Sequence, residues 1–181
     1  IAYSEFSPDG ERFVTVGMDK IGRVWDARTG QPLLTLKGHT SIVWAVVYSP
    51  GGEAIATGSK DGTARIWDAK TGQELQRFSQ GTGWVFTVRF SPDGRRFAAT
   101  GEDGLTLWDL PSGRVLLRLP GAGATIGNVI FGPGKDQLTL DYHNEPAVRV
   151  CDARTGRLVA TWKLAGKSGD YGFSPDARRF V

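Results

Sequence analysis

The chain has 181 residues, 40% of them apolar and 23% charged, which is globular composition with enough hydrophobic surface for one large domain or two small ones. Its formal net charge of +3 is spread as Arg and Lys among Asp and Glu, and such a pattern argues against nucleic acid as the main partner. A single cysteine excludes an internal disulfide framework and points to a reducing, cytoplasmic setting, and no apolar run approaches transmembrane length.

In chain order, the first signal is Phe6-Ser7-Pro8-Asp9-Gly10, a tight reversal in which Pro fixes φ and Gly accepts positive φ. Trp25-Asp26-Ala27-Arg28-Thr29-Gly30 follows, and then the connection Lys37-Gly38-His39-Thr40-Ser41. The next stretch repeats the order. Ile42–Tyr48, Ala54–Thr57, Thr63–Trp67 and Glu74–Phe78 are short runs rich in β-branched and aromatic residues, separated by Ser49-Pro50-Gly51-Gly52, Asp61-Gly62 and Asp68–Gly72. Runs of this length between turn residues predict strands, joined here as a four-stranded antiparallel meander. Ile42–Tyr48 lacks clean alternation, as a strand covered on both faces would.

Both phrases return. Trp67-Asp68-Ala69-Lys70-Thr71-Gly72 is followed by Trp108-Asp109-Leu110-Pro111-Ser112-Gly113 and by Cys151-Asp152-Ala153-Arg154-Thr155-Gly156, at intervals near 42 residues. Phe90, Phe131 and Phe173 open further copies of the Ser-Pro turn. Two markers in phase along the whole chain define a structural repeat, and a sheet covered on both faces by copies of itself is a propeller blade.

The period, the Ser-Pro-Asp-Gly turns, the Asp-Gly turns, the Trp-Asp pairs and the Gly38-His39 pair together resemble the WD40-repeat family over essentially the whole chain. The resemblance implies an all-β, WD40-type propeller segment. Four four-stranded antiparallel blades are expected, at about 1–36, 42–78, 84–119 and 126–163, with two strands of a fifth at 168–181. The ring is then incomplete, and the chain is expected to be part of a larger protein whose N-terminus lies upstream of Ile1.

His39, Thr57 and Asp61 have the makeup of a catalytic triad. The resemblance assigns them, with Trp67, to a structural tetrad in which indole, hydroxyl, imidazole and carboxylate are hydrogen-bonded in series. The other repeats hold partial sets: Thr15, Asp19 and Trp25 in the first, Asp103 and Trp108 in the third with Gly81 and Ala99 at the His and hydroxyl positions, and Cys151 at the Trp position in the fourth. Gly166-Lys167-Ser168 lacks the leading Gly and following helix of a phosphate loop and is expected to be a connection. His143 lies near Asp141 and Glu145, but two histidines in the chain are too few for a metal site of ordinary ligand count. No catalytic residue, metal or cofactor is expected. The resemblance implies a non-catalytic scaffold that binds other proteins or peptides, with two alternatives: a structural or oligomerising segment that joins further blades of its own or another chain, and an enzymatic or small-molecule-binding propeller. In that family partners often sit on the face displaying the start of the innermost strand and the residue before the tetrad Asp. The matching positions are Ile42, Trp44, Trp84 and Phe86, with Met18, Lys60 and Glu102 beside them, and Trp84 is the expected anchor.

Overall fold

The computed structural model describes residues 3–121, 125–132, 136–143, 145 and 147–163. The segment expected to hold two further strands (168–181), the Gly166-Lys167-Ser168 connection and most of the fourth Ser-Pro-type turn lie outside these residues.

Sixteen strands are described, in four sheets of four. The first sheet holds β1 (Tyr3–Phe6), β2 (Arg12–Val16), β3 (Gly22–Asp26) and β4 (Pro32–Leu36). The second holds β5 (Val43–Tyr48), β6 (Ala54–Ser59), β7 (Thr63–Asp68) and β8 (Glu74–Ser79). The third holds β9 (Val85–Phe90), β10 (Arg96–Gly101), β11 (Gly104–Asp109) and β12 (Val115–Leu119), and the fourth holds β13 (Ile126–Phe131), β14 (Gln137–Tyr142), β15 (Ala147–Asp152) and β16 (Leu158–Lys163). Neighbours in each sheet are consecutive and antiparallel. The innermost strands pack in series, β1 on β5, β5 on β9 and β9 on β13. The result is the expected all-β propeller architecture, and among the described residues the four blades do not close into a ring.

The repeated hexapeptide explains the turn between third and fourth strands. Asp68 Oδ1 accepts the N–H groups of Lys70 at 2.9 Å and Thr71 at 2.7 Å, and the Thr71 hydroxyl at 3.0 Å. Those bonds, from Thr71 first, hold the Asp68 carboxyl below its usual pKa. Asp26 and Asp152 make the same bonds. The closing glycines, Gly30, Gly72, Gly113 and Gly156, have φ of 70°, 73°, 68° and 72°, a left-handed conformation that a Cβ would strain. The Ser-Pro turns are capped from within, since Ser49 Oγ accepts the Ala54 N–H at 3.0 Å and Ser91 Oγ that of Arg96 at 2.8 Å.

The core sits between blades. Between the second and third, Ile66, Phe78 and Ala64 pack against Val88, Phe97 and Trp108. The ring of Phe78 lies 5.5 Å from Phe97 and 4.9 Å from Trp108, and such aromatic pairs contribute about 0.5–1.5 kcal/mol each beyond their burial. Matching clusters fill the first and third seams. Cys151 is buried in the third, where burial pushes its thiol pKa up.

Candidate functional site

Two constellations stand at the end of the blades that carries the second-to-third-strand hairpins. The first is a buried polar chain in the second blade. Trp67 Nε1 donates to Thr57 Oγ1 at 2.8 Å, Thr57 Oγ1 lies 2.7 Å from His39 Nε2, and His39 Nδ1 lies 2.9 Å from Asp61 Oδ2. With the Trp as donor, one proton order satisfies every atom: the hydroxyl donates to Nε2 and the Nδ1–H donates to the carboxylate. Burial holds the His39 pKa below its ordinary value, in keeping with a neutral ring. Burial would raise the Asp61 pKa, but hydrogen bonds from Thr63, the Thr40 N–H and His39 outweigh it and bring it to about 2. The Thr57 residue is 1% exposed, so no substrate reaches its hydroxyl in this conformation, as a nucleophile would require.

This chain runs further than the sequence reading placed it. Arg65, 4% exposed, donates from Nη1 to Glu74 Oε2 at 2.7 Å, and its Nη2 lies 3.8 Å from Asp61 Oδ2. Glu74 also receives Arg77 at 2.8 Å. The signal was present as charges on neighbouring strands, because Arg65 pairs in register with Arg77 and both need a carboxylate. In the third blade, where Gly81 and Ala99 stand at the His and hydroxyl positions, the preceding Gln80 is buried. Its Nε2 donates to the carbonyls of Ala99 at 3.1 Å and Gly104 at 2.6 Å. In the first blade Trp25 Nε1 donates to Thr15 at 2.9 Å while Asp19 pairs with Arg23.

The second constellation is a ramp of rings crossing three blades. Trp44 of β5 stacks on Trp84, at 6.2 Å between centroids and 14° between planes. Trp84 lies 6.0 Å from Phe86 of β9, and Phe86 meets the His143 ring edge-on at 5.7 Å. Gly127 makes room for the last step, since a Cβ there would come within 2.9 Å of the His143 ring. The Lys60 ammonium sits 3.9 Å above the Trp84 ring, a cation–π contact. Glu102 is exposed, and its carboxylate accepts the Trp84 N–H at 3.1 Å. Ile42 receives the Lys60 N–H on its carbonyl at 2.8 Å, and Gly17, next to the 74% exposed Met18, receives that of Val43 at 3.1 Å. Trp44, Trp84 and Phe86 are each half-buried, so these rings pack on one another and still face solvent. The Trp44 Nε1 atom is enclosed and has no hydrogen-bond partner among the described residues.

Among the described residues, no group of three or more His, Cys, Asp or Glu is gathered as metal ligands would be, and no helix is long and apolar enough to cross a membrane.

The repeat is also recognised by comparison. The family model for "WD domain, G-beta repeat" matches residues 1–26, 30–68 and 72–109, more than half of the chain. The chain belongs to the WD40-repeat family. A Nostoc sp. (strain PCC 7120) protein, "Uncharacterized WD repeat-containing protein alr3466", is 55% identical over 38 residues, which is 21% of this WD40 chain and 2% of that protein. The crystal structure of the Myceliophteria thermophila Cps50 (Swd1) β-propeller domain superposes with a TM-score of 0.86 at 19% identity, covering 99% of this chain and 60% of that one. This WD40 chain therefore spans a small part of the first relative and under two thirds of the second, and the structural likeness is one of fold. The matched repeats stop before the fourth blade, where Cys151 stands at the Trp position.

Proposed function

We propose that this WD40 chain is a non-catalytic platform that docks a protein or peptide on the rim formed by Trp44, Trp84 and Phe86. The observation that carries it is the ramp itself, partly exposed rings from neighbouring blades stacked into one surface with Lys60 and Glu102 at its edge. Aromatic anchors dominate interface energetics, and a ring already fixed by its neighbours loses little entropy on binding. Trp84→Ala is expected to weaken partner binding by about 2 kcal/mol, roughly 30-fold. Quantitative pull-downs with wild-type and Trp84→Ala chains measure it. Every partner retained at unchanged affinity would place the site elsewhere.

A second reading, a module that assembles with further blades, is favoured by the open flank of the first blade. Phe6 is 64% exposed and lies 5.8 Å from Phe13, which stacks on Trp25 at 6.1 Å. Trp67 and Trp108, at the same repeat position as Trp25, are 1% and 3% exposed because a preceding blade covers them. Among the described residues no blade covers this apolar flank, and an exposed apolar flank with unpaired strand edges favours association. The 181-residue chain is expected to sediment as a species larger than its 19.6 kDa monomer, and a monodisperse monomer would overturn this reading.

A further inference from the structure

The three seams between blades are bridged differently at one register position. Arg12, Ala54 and Arg96 stand opposite Asp26, Asp68 and Asp109, the Asp of each Trp-Asp pair. Arg12 crosses the first seam and donates to the Ala69 carbonyl at 3.0 Å. Arg96 crosses the third, 3.4 Å from Asp136 Oδ1 and over the Phe131 ring. At the second seam the residue is Ala54, whose methyl spans nothing. The Leu110 carbonyl, counterpart of that of Ala69, is met instead by Gln76 Nε2 from the outer strand at 3.2 Å. A groove of about 860 Å³ therefore lies open between the second and third blades, on the side of the Ser-Pro turns and away from the aromatic ramp, against about 300 Å³ at the first seam.

The floor of this groove is Ala54, Ile66, Phe90 and Leu110. Glu53 and Arg95 hold the same position in successive repeats, and so face the groove from its two walls with opposite charges. Both are exposed, and among the described residues neither has an ion-pair partner within 4 Å. The nearby Asp93 carboxylate is already engaged by Ser91 Oγ at 2.6 Å and the Arg95 N–H at 3.1 Å. The volume is within the range of ligand sites, which pair an apolar floor with a few polar groups.

We propose that this groove is a second binding site, independent of the aromatic rim, for an extended segment of a partner protein in which a bulky apolar residue is flanked by a basic and an acidic one. In an extended chain successive side chains point to opposite sides. The apolar residue then enters the floor while its neighbours face outward above the two rims, where their long, flexible side chains fold back, the basic one to Glu53 and the acidic one to Arg95.

The test uses the isotope-labelled 181-residue chain, observed by amide chemical shifts, and the synthetic peptide acetyl-GRLEG-amide. Shifts are expected at Ala54, Ile66 and Leu110, with at least tenfold weaker binding when the peptide Leu becomes Ser or its Arg becomes Gln. Ala54→Arg installs the bridge that the first and third seams already carry, and it is expected to abolish the shifts while the remaining spectrum stays folded. Glu53→Gln, at an exposed position, is expected to weaken binding about tenfold and decides the matter if Ala54→Arg does not fold. Trp84→Ala is expected to leave the titration unchanged, which separates this site from the rim. No shifts at millimolar peptide, equal binding of the Ser peptide, or unchanged binding by the folded Ala54→Arg chain or by Glu53→Gln would overturn the proposal.

Discussion

His39→Ala is expected to lower the unfolding free energy by about 1–3 kcal/mol, because it strands the Thr57 hydroxyl and takes a donor from the Asp61 carboxylate in a buried setting. Glu102→Ala, at an exposed hairpin, removes one solvent-facing bond and is expected to cost within about 0.5 kcal/mol. The His39 effect also depends on pH, and the sign follows from burial. The folded ring resists protonation while the unfolded ring accepts a proton near 6.5. The stability attached to the neutral ring is thus whole above about 6.5 and is lost as pH falls below it. Asp61, held at about 2 against an ordinary 3.8, contributes stability that is whole above 3.8 and is lost only as pH falls toward 2. Denaturant melts at pH 7.5 and pH 5 should therefore show the gap between wild type and His39→Ala narrowing in acid. A constant gap, or one no larger than that of Glu102→Ala, would contradict the buried, neutral ring.

Arg65→Ala is expected to cost about 1.5–3 kcal/mol, since it removes a buried guanidinium and its charge-assisted hydrogen bond to Glu74, a carboxylate that is itself partly in solvent. The low end of that range applies because Arg77 still holds Glu74. Arg65 also lays its guanidinium 6.0 Å from the Trp67 ring centroid, so part of the loss is packing. Arg65→Met, which keeps the apolar stem, is expected to recover that part and no more. Urea melts of the two variants separate the contributions, and an Arg65→Ala loss within about 0.5 kcal/mol would show that the network is not coupled to folding.

Much of the fold was legible because turn chemistry and period agree. Asp68 and Gly72 announce a turn by residue type, and the 42-residue beat assigns each strand a place before any contact is known. The ring stack was half legible. Trp44, Trp84 and Phe86 could be set on one face by repeat position, yet His143 could not, because its approach depends on Gly127 lacking a Cβ and on a hairpin in the next blade. Gln80 and Arg65 were harder to place for another reason. Gln80 bonds main-chain carbonyls of the third blade from the connection before it, and Arg65 extends the polar chain of the second from its third strand, whereas a repeat alignment compares like positions only. The groove at Ala54 shows the same limit, since an absent side chain becomes a space only once its neighbours in other repeats are seen to cross.

Those crossings also constrain how the repeats can be ordered along the chain. If the second and third were exchanged, Arg12 would reach toward Leu110 and Pro111 where it now meets Ala69, and Asp136 would face Ala54 in place of its guanidinium. Each sheet would survive the move, and Arg12 would still meet a main-chain carbonyl at Leu110, but the Arg96–Asp136 pair would be lost. The blades are alike as sheets and particular as neighbours, so gene-level shuffling of these repeats should be tolerated far less than duplication at an end, and drift at positions 12, 54 and 96 should be coupled to whatever residue the following blade presents.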